Sequence, residues 1–308
     1  MTNSNHAQHV KTTSTFRGLS EGLELIGFAS GVAANIIDCA LGPWYLYYHP
    51  ELFNTIDVDV HWQSMIQTTA TQHGRQALPF VEKNIEELGR TVLPFAKQHK
   101  PFCVIGGDHS CAIGTWSAVA HSNRSDGDIG LIWIDAHMDS HTPATSLTQN
   151  IHGMPVAHLL GEGIESLCHL FDREPKLKSQ NLYVIGIRSY EEDEAKLLTR
   201  LGVNLVYMEE VQQRGIEDVL SVACQTLAQT TCGFGISIDL DAIDPLDAPG
   251  VGCPEPNGIR GGALVSALKT IQYQKPLLGL ELAEYNPIRD QDGKTAKLMI
   301  DLIHAVYS

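Results

Sequence analysis

Three short stretches of the 308-residue chain hold ionisable side chains at spacings that could do chemistry together. The most concentrated is Asp135-Ala136-His137-Met138-Asp139, which follows the apolar run Ile129–Ile134, a buried strand by its pattern. Side chains two residues apart on an extended chain face the same way. Asp135, His137 and Asp139 can therefore project toward one point beyond the strand's C-terminal end. Two carboxylates and an imidazole crowded there repel one another and lose solvation unless a cation neutralises them. A solvated turn rich in Asp and His is the other reading, and the pentapeptide alone leaves both open.

Further stretches repeat the arrangement. In Phe234–Pro245, Asp239 and Asp241 lie two apart at the end of an apolar strand, and Pro245 stops further sheet pairing. Gly106-Gly107-Asp108-His109-Ser110 follows the short apolar run Phe102–Ile105. The glycines permit a sharp turn, Ser110 is placed to cap a helix over 111–120, and His109 taken alone reads first as a capping or core residue. A last strand, Leu277–Leu282, delivers Glu284. Ligands of open α/β sheets bind outside the carboxyl ends of the strands. Four strand ends that all carry ionisable groups are difficult to explain as solvated turns. The set His109, Asp135, His137, Asp139, Asp239 and Asp241 is too oxygen-rich for a structural zinc site. It suits a pair of hard or borderline divalent ions, Mn²⁺ before Zn²⁺, about 3.5–4 Å apart and acidifying a shared water into a hydroxide nucleophile.

The elements that position these groups alternate strand-like and helix-like from residue 22 to the end with no Pro/Ser-rich linker, which predicts one α/β domain over 21–308. Further strands are expected at Leu23–Ala29, Tyr183–Ile187 and Val203–Tyr207, and helices at 75–99, 214–229 and Lys294–Tyr307. Pro94 is expected to kink or end the first of these helices. The acidic run Glu191–Glu194 reads as the first turn of a helix. Residues 140–153 form a long polar loop of the kind that is usually functional or disordered, and His152 stands where it ends.

Composition bounds the function. A formal net charge of −15 leaves no basic stripe for nucleic acid. Seven cysteines without C-x-x-C spacing indicate reduced thiols and a cytoplasmic location. No apolar run approaches the ~20 residues of a membrane span. Residues 1–20 lack the apolar core of a signal peptide and read as a disordered tail.

GGDHS at 106–110, DAHMD at 135–139 and SIDLDAIDP at 237–245 resemble, in order and spacing, the three signature motifs of the ureohydrolases, the arginase/agmatinase family. The resemblance runs from about residue 22 to the end. It implies a three-layer α/β/α sandwich with a mostly parallel eight-stranded sheet, assembled as a homo-trimer or hexamer. It also implies two Mn²⁺ ions per chain, one on His109, Asp135, Asp139 and Asp239, the other on His137, Asp135, Asp239 and Asp241. Asp135 and Asp239 would bridge, and Asp139 counts among the catalytic residues as well. Glu284 would bind a substrate guanidinium, and His152, in Asn150-Ile151-His152-Gly153, would shuttle a proton to the leaving amine. The activity implied is hydrolysis of L-arginine to L-ornithine and urea, with agmatinase, formimidoylglutamase, another guanidino-acid amidinohydrolase or a non-catalytic metal-binding scaffold as alternatives. The positions that would hold the substrate's α-carboxylate fall on His141 and Thr148. Those near its α-ammonium fall on Ser189 and Glu191. Cys253 stands where the family has threonine, and Pro254-Glu255 reads more like the agmatinase branch.

Overall fold

Short apolar runs closed by glycine or polar turns become strands, and the segments between them with apolar residues every three to four positions become helices. In the computed structural model, which describes residues 22–307 apart from 57, 58, 68, 69 and 73, the order is β1 (Leu23–Ala29), α1 (Leu41–Tyr48), β2 (Val60–Gln67), α2 (Leu78–Lys97), β3 (Phe102–Gly106) and α3 (Cys111–Asn123). Next come β4 (Ile129–Ile134), α4 (Pro155–Leu159), α5 (Glu165–Cys168), β5 (Leu182–Ile187), α6 (Glu192–Leu201), β6 (Asn204–Tyr207), α7 (Met208–Arg214) and α8 (Ile216–Thr230). The chain closes with β7 (Gly233–Asp239), α9 (Gly261–Thr270), β8 (Leu277–Ala283) and α10 (Lys294–Tyr307). The tail expected over residues 1–20 lies outside the described residues.

The eight strands form one sheet in the order β2-β1-β3-β8-β7-β4-β5-β6. Every pairing is parallel, so the expected "mostly parallel" sheet is wholly parallel among the described residues. A parallel sheet needs both faces covered, and its strands read as nearly continuous apolar runs. Alternate residues feed two separate cores. Ile132 and Ile134 of β4 join α7–α10 on one face, while Leu131 and Trp133 join α2–α6 on the other. These two cores make the three layers.

Two expectations need correction, and one strand was not foreseen. β2 has no clear sequence signature, because as an edge strand it alternates half-buried and exposed residues around His61, Gln63 and Ser64. Pro94 does not end α2, which continues to Lys97. Pro94 and Arg90 are both at exposed positions of the helix, where losing one backbone hydrogen bond costs less than in the core. Ser110 does not cap α3 with its side chain. Its hydroxyl donates to Asp108 Oδ1 instead.

The order places β3, β8, β7 and β4 side by side, so the four strand ends singled out in the sequence are neighbours. The turn after β3 hugs the end of β1. Gly107 N donates to Phe28 O at 2.7 Å, and a Cβ on Gly107 would lie 2.1 Å from Ser30 O. Only glycine fits there, and His109 follows two residues later.

Candidate metal centre and pocket

β3 and the turn after it carry the buried His109, whose ring stacks on Trp133 of β4 with centroids 4.0 Å apart. Its Nε2 lies 3.0 Å from Ser237 Oγ, and that hydroxyl donates to the buried Glu281 at 2.9 Å. Because the serine proton goes to Glu281, Nε2 is placed to donate to Ser237, which leaves Nδ1 as the nitrogen that faces the carboxylates. Around Nδ1 stand Asp239 Oδ2 at 3.1 Å, Asp135 Oδ2 at 3.3 Å and Asp139 Oδ2 at 3.4 Å. Nδ1 makes no hydrogen bond to any of them. Burial lowers the His109 imidazole, but the three carboxylates outweigh it and raise the group well above its ordinary range, so a cation among them would take the place of that proton.

A second cluster shares Asp135. His137 Nδ1 lies 3.2 Å from Asp241 Oδ2 and 3.5 Å from Asp135 Oδ1. Trp133 Nε1 donates to Asp135 Oδ2 at 2.8 Å and His137 N to Asp135 Oδ1 at 2.7 Å, which sets the carboxylate astride both clusters. Asp239 gives one oxygen to Asp241 N at 2.9 Å and turns the other toward His109. Burial, then the charges of Asp241 and Asp135, push the Asp239 carboxyl well above the usual range. Burial and Asp135 push Asp139 up to about 7. Four carboxylates packed this closely cannot all ionise unaided. His109, Asp135 and Asp239 form one group whose ligand atoms can meet a single ion, and Asp135, His137 and Asp241 form another. The oxygen-rich donor set fits hard divalent ions.

Two further residues stand at the same strand ends. Glu284, at φ +66°, hangs from β8 by its N–H to Gly107 O at 2.8 Å, and its Oε1 accepts His109 N at 3.1 Å. His152 Nδ1 lies 3.2 Å from the same Oε1. Burial lowers the His152 imidazole, but the hydrogen bond and charge of Glu284, helped by Asp139 and Asp108, outweigh it and raise the group to about 9. The same contact holds Glu284 below the usual carboxylate range, against its burial. A Cβ on Gly252 would come within 2.6 Å of Glu284 Oε2, so this glycine leaves room for the carboxylate.

A pocket of about 420 Å³ opens onto these groups. His141, Thr148 and Glu191, the positions proposed from the sequence for a substrate's α-substituents, line it, and His141 and Glu191 touch each other. His141 Nε2 contacts Glu191 Oε2 directly, and its Nδ1 meets Thr145 Oγ1 at 3.1 Å. Thr148 Oγ1 accepts Asn150 N at 3.3 Å. Ser189 points its hydroxyl at Glu255 instead, 3.1 Å away.

Sequence reasoning missed three supporting acids. Asp108 accepts Ala33 N and Ser110 N, both at 3.1 Å, and Ala33 O in turn accepts His152 N at 3.2 Å. Glu281 is an acid inside an apolar strand, a signal visible in the sequence. Glu194 completes a capping box with Glu191, the three-residue spacing that could have identified it.

Comparison with known proteins agrees with this geometry. The arginase family profile matches residues 24–308. An arginase of Brevibacillus brevis is 36% identical over 239 residues, 78% of this chain and 79% of that protein. An arginase of Bacillus subtilis is 38% identical over 221 residues, 72% and 73% of the two chains. The crystal structure of arginase from Bacillus subtilis superposes with a TM-score of 0.84 at 32% identity, covering 94% of this chain and 99% of that one. Formimidoylglutamase from the same species shares the fold, with a TM-score of 0.75 at 20% identity over 99% and 94% of the two chains. With the motifs, the sheet order and the strand-end clusters in agreement, the chain belongs to the arginase family.

Proposed function

We propose that the chain hydrolyses L-arginine to L-ornithine and urea in a site that holds two Mn²⁺ ions. The observation that carries this reading is the pair of buried clusters joined through Asp135, which opens beside Glu284 and His152 into one pocket. His109, Asp135, Asp139 and Asp239 would hold one ion, and His137, Asp135, Asp239 and Asp241 the other. Two bound divalent ions supply a water acidified toward neutral pH, so no protein nucleophile is required. Glu284 would accept the planar guanidinium through paired hydrogen bonds. His152, protonated at neutral pH by its contact with Glu284, would give its proton to the departing δ-amine. Thr148 and His141 would meet the α-carboxylate and Glu191 the α-ammonium.

One observation favours a second reading. His141 and Glu191 occupy each other through a direct contact, and no lysine or arginine lines the pocket among the described residues. Fewer groups are left to meet an α-carboxylate and an α-ammonium, which supports agmatine, a substrate without a carboxylate; formimidoylglutamate or another guanidino acid is a further alternative. A scaffold without turnover is the remaining alternative. The proposal extends to a cytoplasmic homo-oligomer, trimer or hexamer. All seven cysteines are free thiols, and no helix among the described residues is long and apolar enough to cross a membrane.

The test is a substrate panel on Mn²⁺-loaded protein, scored by co-product. Ornithine with urea is expected. Putrescine or formamide would replace arginine with agmatine or formimidoylglutamate, and no product from any substrate would support the scaffold.

A further inference from the structure

We propose that Glu255 is a positioning residue for His137, and that it sets the affinity of the second metal site from a loop outside the three motifs. This rests on the two-ion reading above.

The observations begin with the ring. His137 turns Nδ1 toward Asp135 and Asp241, which leaves Nε2 on its far side. There Glu255 Oε1 lies 3.6 Å away. That is about 0.7 Å beyond a typical N–H···O bond, so the contact is an ion-pair approach that a small side-chain movement closes. An imidazole that offers the Nδ1 lone pair to a cation carries its proton on Nε2. A carboxylate on that side fixes the tautomer and the ring orientation. Glu255 is the acid the described residues place there.

The carboxylate is built in place. Ser189 Oγ, at the end of β5, donates to the same Oε1 at 3.1 Å. The loop behind it is clamped by one guanidinium. Arg188 NH2 donates to Glu255 O at 2.8 Å and to Asp241 O at 2.6 Å, and its Nε donates to Pro256 O at 3.0 Å. The backbone of Glu255 and the backbone of Asp241, which faces His137 from the other side, are thus fixed to a single group. Close packing supports the clamp, since a Cβ on Gly258 would lie 2.6 Å from Arg188 NH2. His109 has its own partner chain through Ser237 to Glu281. Glu255 with Ser189 is the corresponding support on the His137 side, contributed by a different loop.

The test is calorimetric titration of chelated full-length protein with Mn²⁺, comparing wild type with Glu255→Gln and Glu255→Asp. Groups that support metal-ligating histidines commonly change metal affinity by roughly 10–100-fold. Wild type should bind two ions. Glu255→Gln should bind one normally and the other about 10–100-fold more weakly, and Glu255→Asp should recover part of the loss. Gln keeps an acceptor for Ser189 and leaves the Arg188 contacts untouched, so the melting temperature of the chelated variant should match wild type. Two ions bound by Glu255→Gln with wild-type affinity would overturn the proposal. Equal weakening of both ions with a lowered chelated melting temperature would overturn it as well, by showing a general structural effect. Neither readout uses a substrate, so a failure of the arginine reading in the product panel leaves this result independent.

Discussion

His152 and Glu284 share one hydrogen bond, and two measurable consequences follow from it. The first is catalytic. A proton donor removed from a hydrolytic site commonly lowers the rate by roughly 10²–10⁴-fold, so His152→Asn should lower kcat by that amount with metal content unchanged. An unaltered kcat would make His152 an ordered loop residue and nothing more. The second is a linkage to pH. The folded-state pKa of about 9 lies above the ordinary 6.5. The pair therefore contributes stability that is fully present below about pH 6.5 and is lost as pH rises through about 9, up to about 3 kcal/mol in metal-free protein. The stability difference between chelated wild type and His152→Asn should shrink across that window, and a difference independent of pH would contradict the assignment. At this scale the sequence was informative wherever a motif repeated a spacing two residues apart at a strand end. The positions of Glu284 at a strand end and His152 at a loop end were legible in the sequence, but the roles proposed for them came through resemblance alone. Asp108 and Ser237 were not legible, because they act through other residues' backbone or ring atoms, and such partners are set by folding and leave no local pattern.

At the scale of elements, the start of α6 holds the pocket loop. Glu194 accepts Ser140 N at 3.0 Å with one oxygen and Glu191 N at 3.1 Å with the other. One buried carboxylate thereby joins the turn after Asp139 to the helix that follows β5. Removing it strands two backbone donors, and an unpaired buried N–H costs about 1–3 kcal/mol. Glu194→Ala should lower unfolding free energy by that amount in a denaturant titration and raise KM more than it lowers kcat, because the freed loop carries Thr148 and His141. Glu194→Gln keeps one good acceptor and should lose less. Identical denaturation midpoints for all three proteins would dismiss the clamp. The acidic first turn of α6 was visible in the sequence, and so were the buried strands, whose apolar runs leave little ambiguity. β2 was not visible, since an edge strand with one wet face near His61 and Gln63 resembles a polar connection. Pro94 does not end α2 for a related reason, because the turn it interrupts begins at Arg90 and ends at Pro94, both exposed positions, where a missing backbone hydrogen bond costs less than in the core.

The whole molecule is a device for bringing like charges together. A wholly parallel sheet aims all its C-terminal ends one way, and the order β3-β8-β7-β4 sets His109, Glu284, Asp239 and Asp135 on adjacent strands. The two apolar cores must overcome the repulsion among those groups, so ion binding and global stability are linked. A ligand at a hundred times its Kd adds about 2.7 kcal/mol per site. Near-saturating Mn²⁺ at two sites should therefore raise the melting temperature by roughly 10–20 °C over chelated protein, taking about 2–4 °C per kcal/mol for a large domain. Asp139→Asn separates this linkage from ordinary damage. Asp139 sits at φ +48°, a conformation that asparagine tolerates well, and Asn removes one charge from the crowd while keeping its shape. In chelator at neutral pH the variant should melt a few degrees above wild type, about 1 kcal/mol more stable, because one source of repulsion is gone. With Mn²⁺ present the order should reverse, since the variant offers one fewer anionic ligand. The two melting curves should thus cross between chelated and loaded conditions. A variant that melts below wild type in both would show that the Asp139 carboxylate supports the fold by itself, and the charge-crowding account of this site would be wrong.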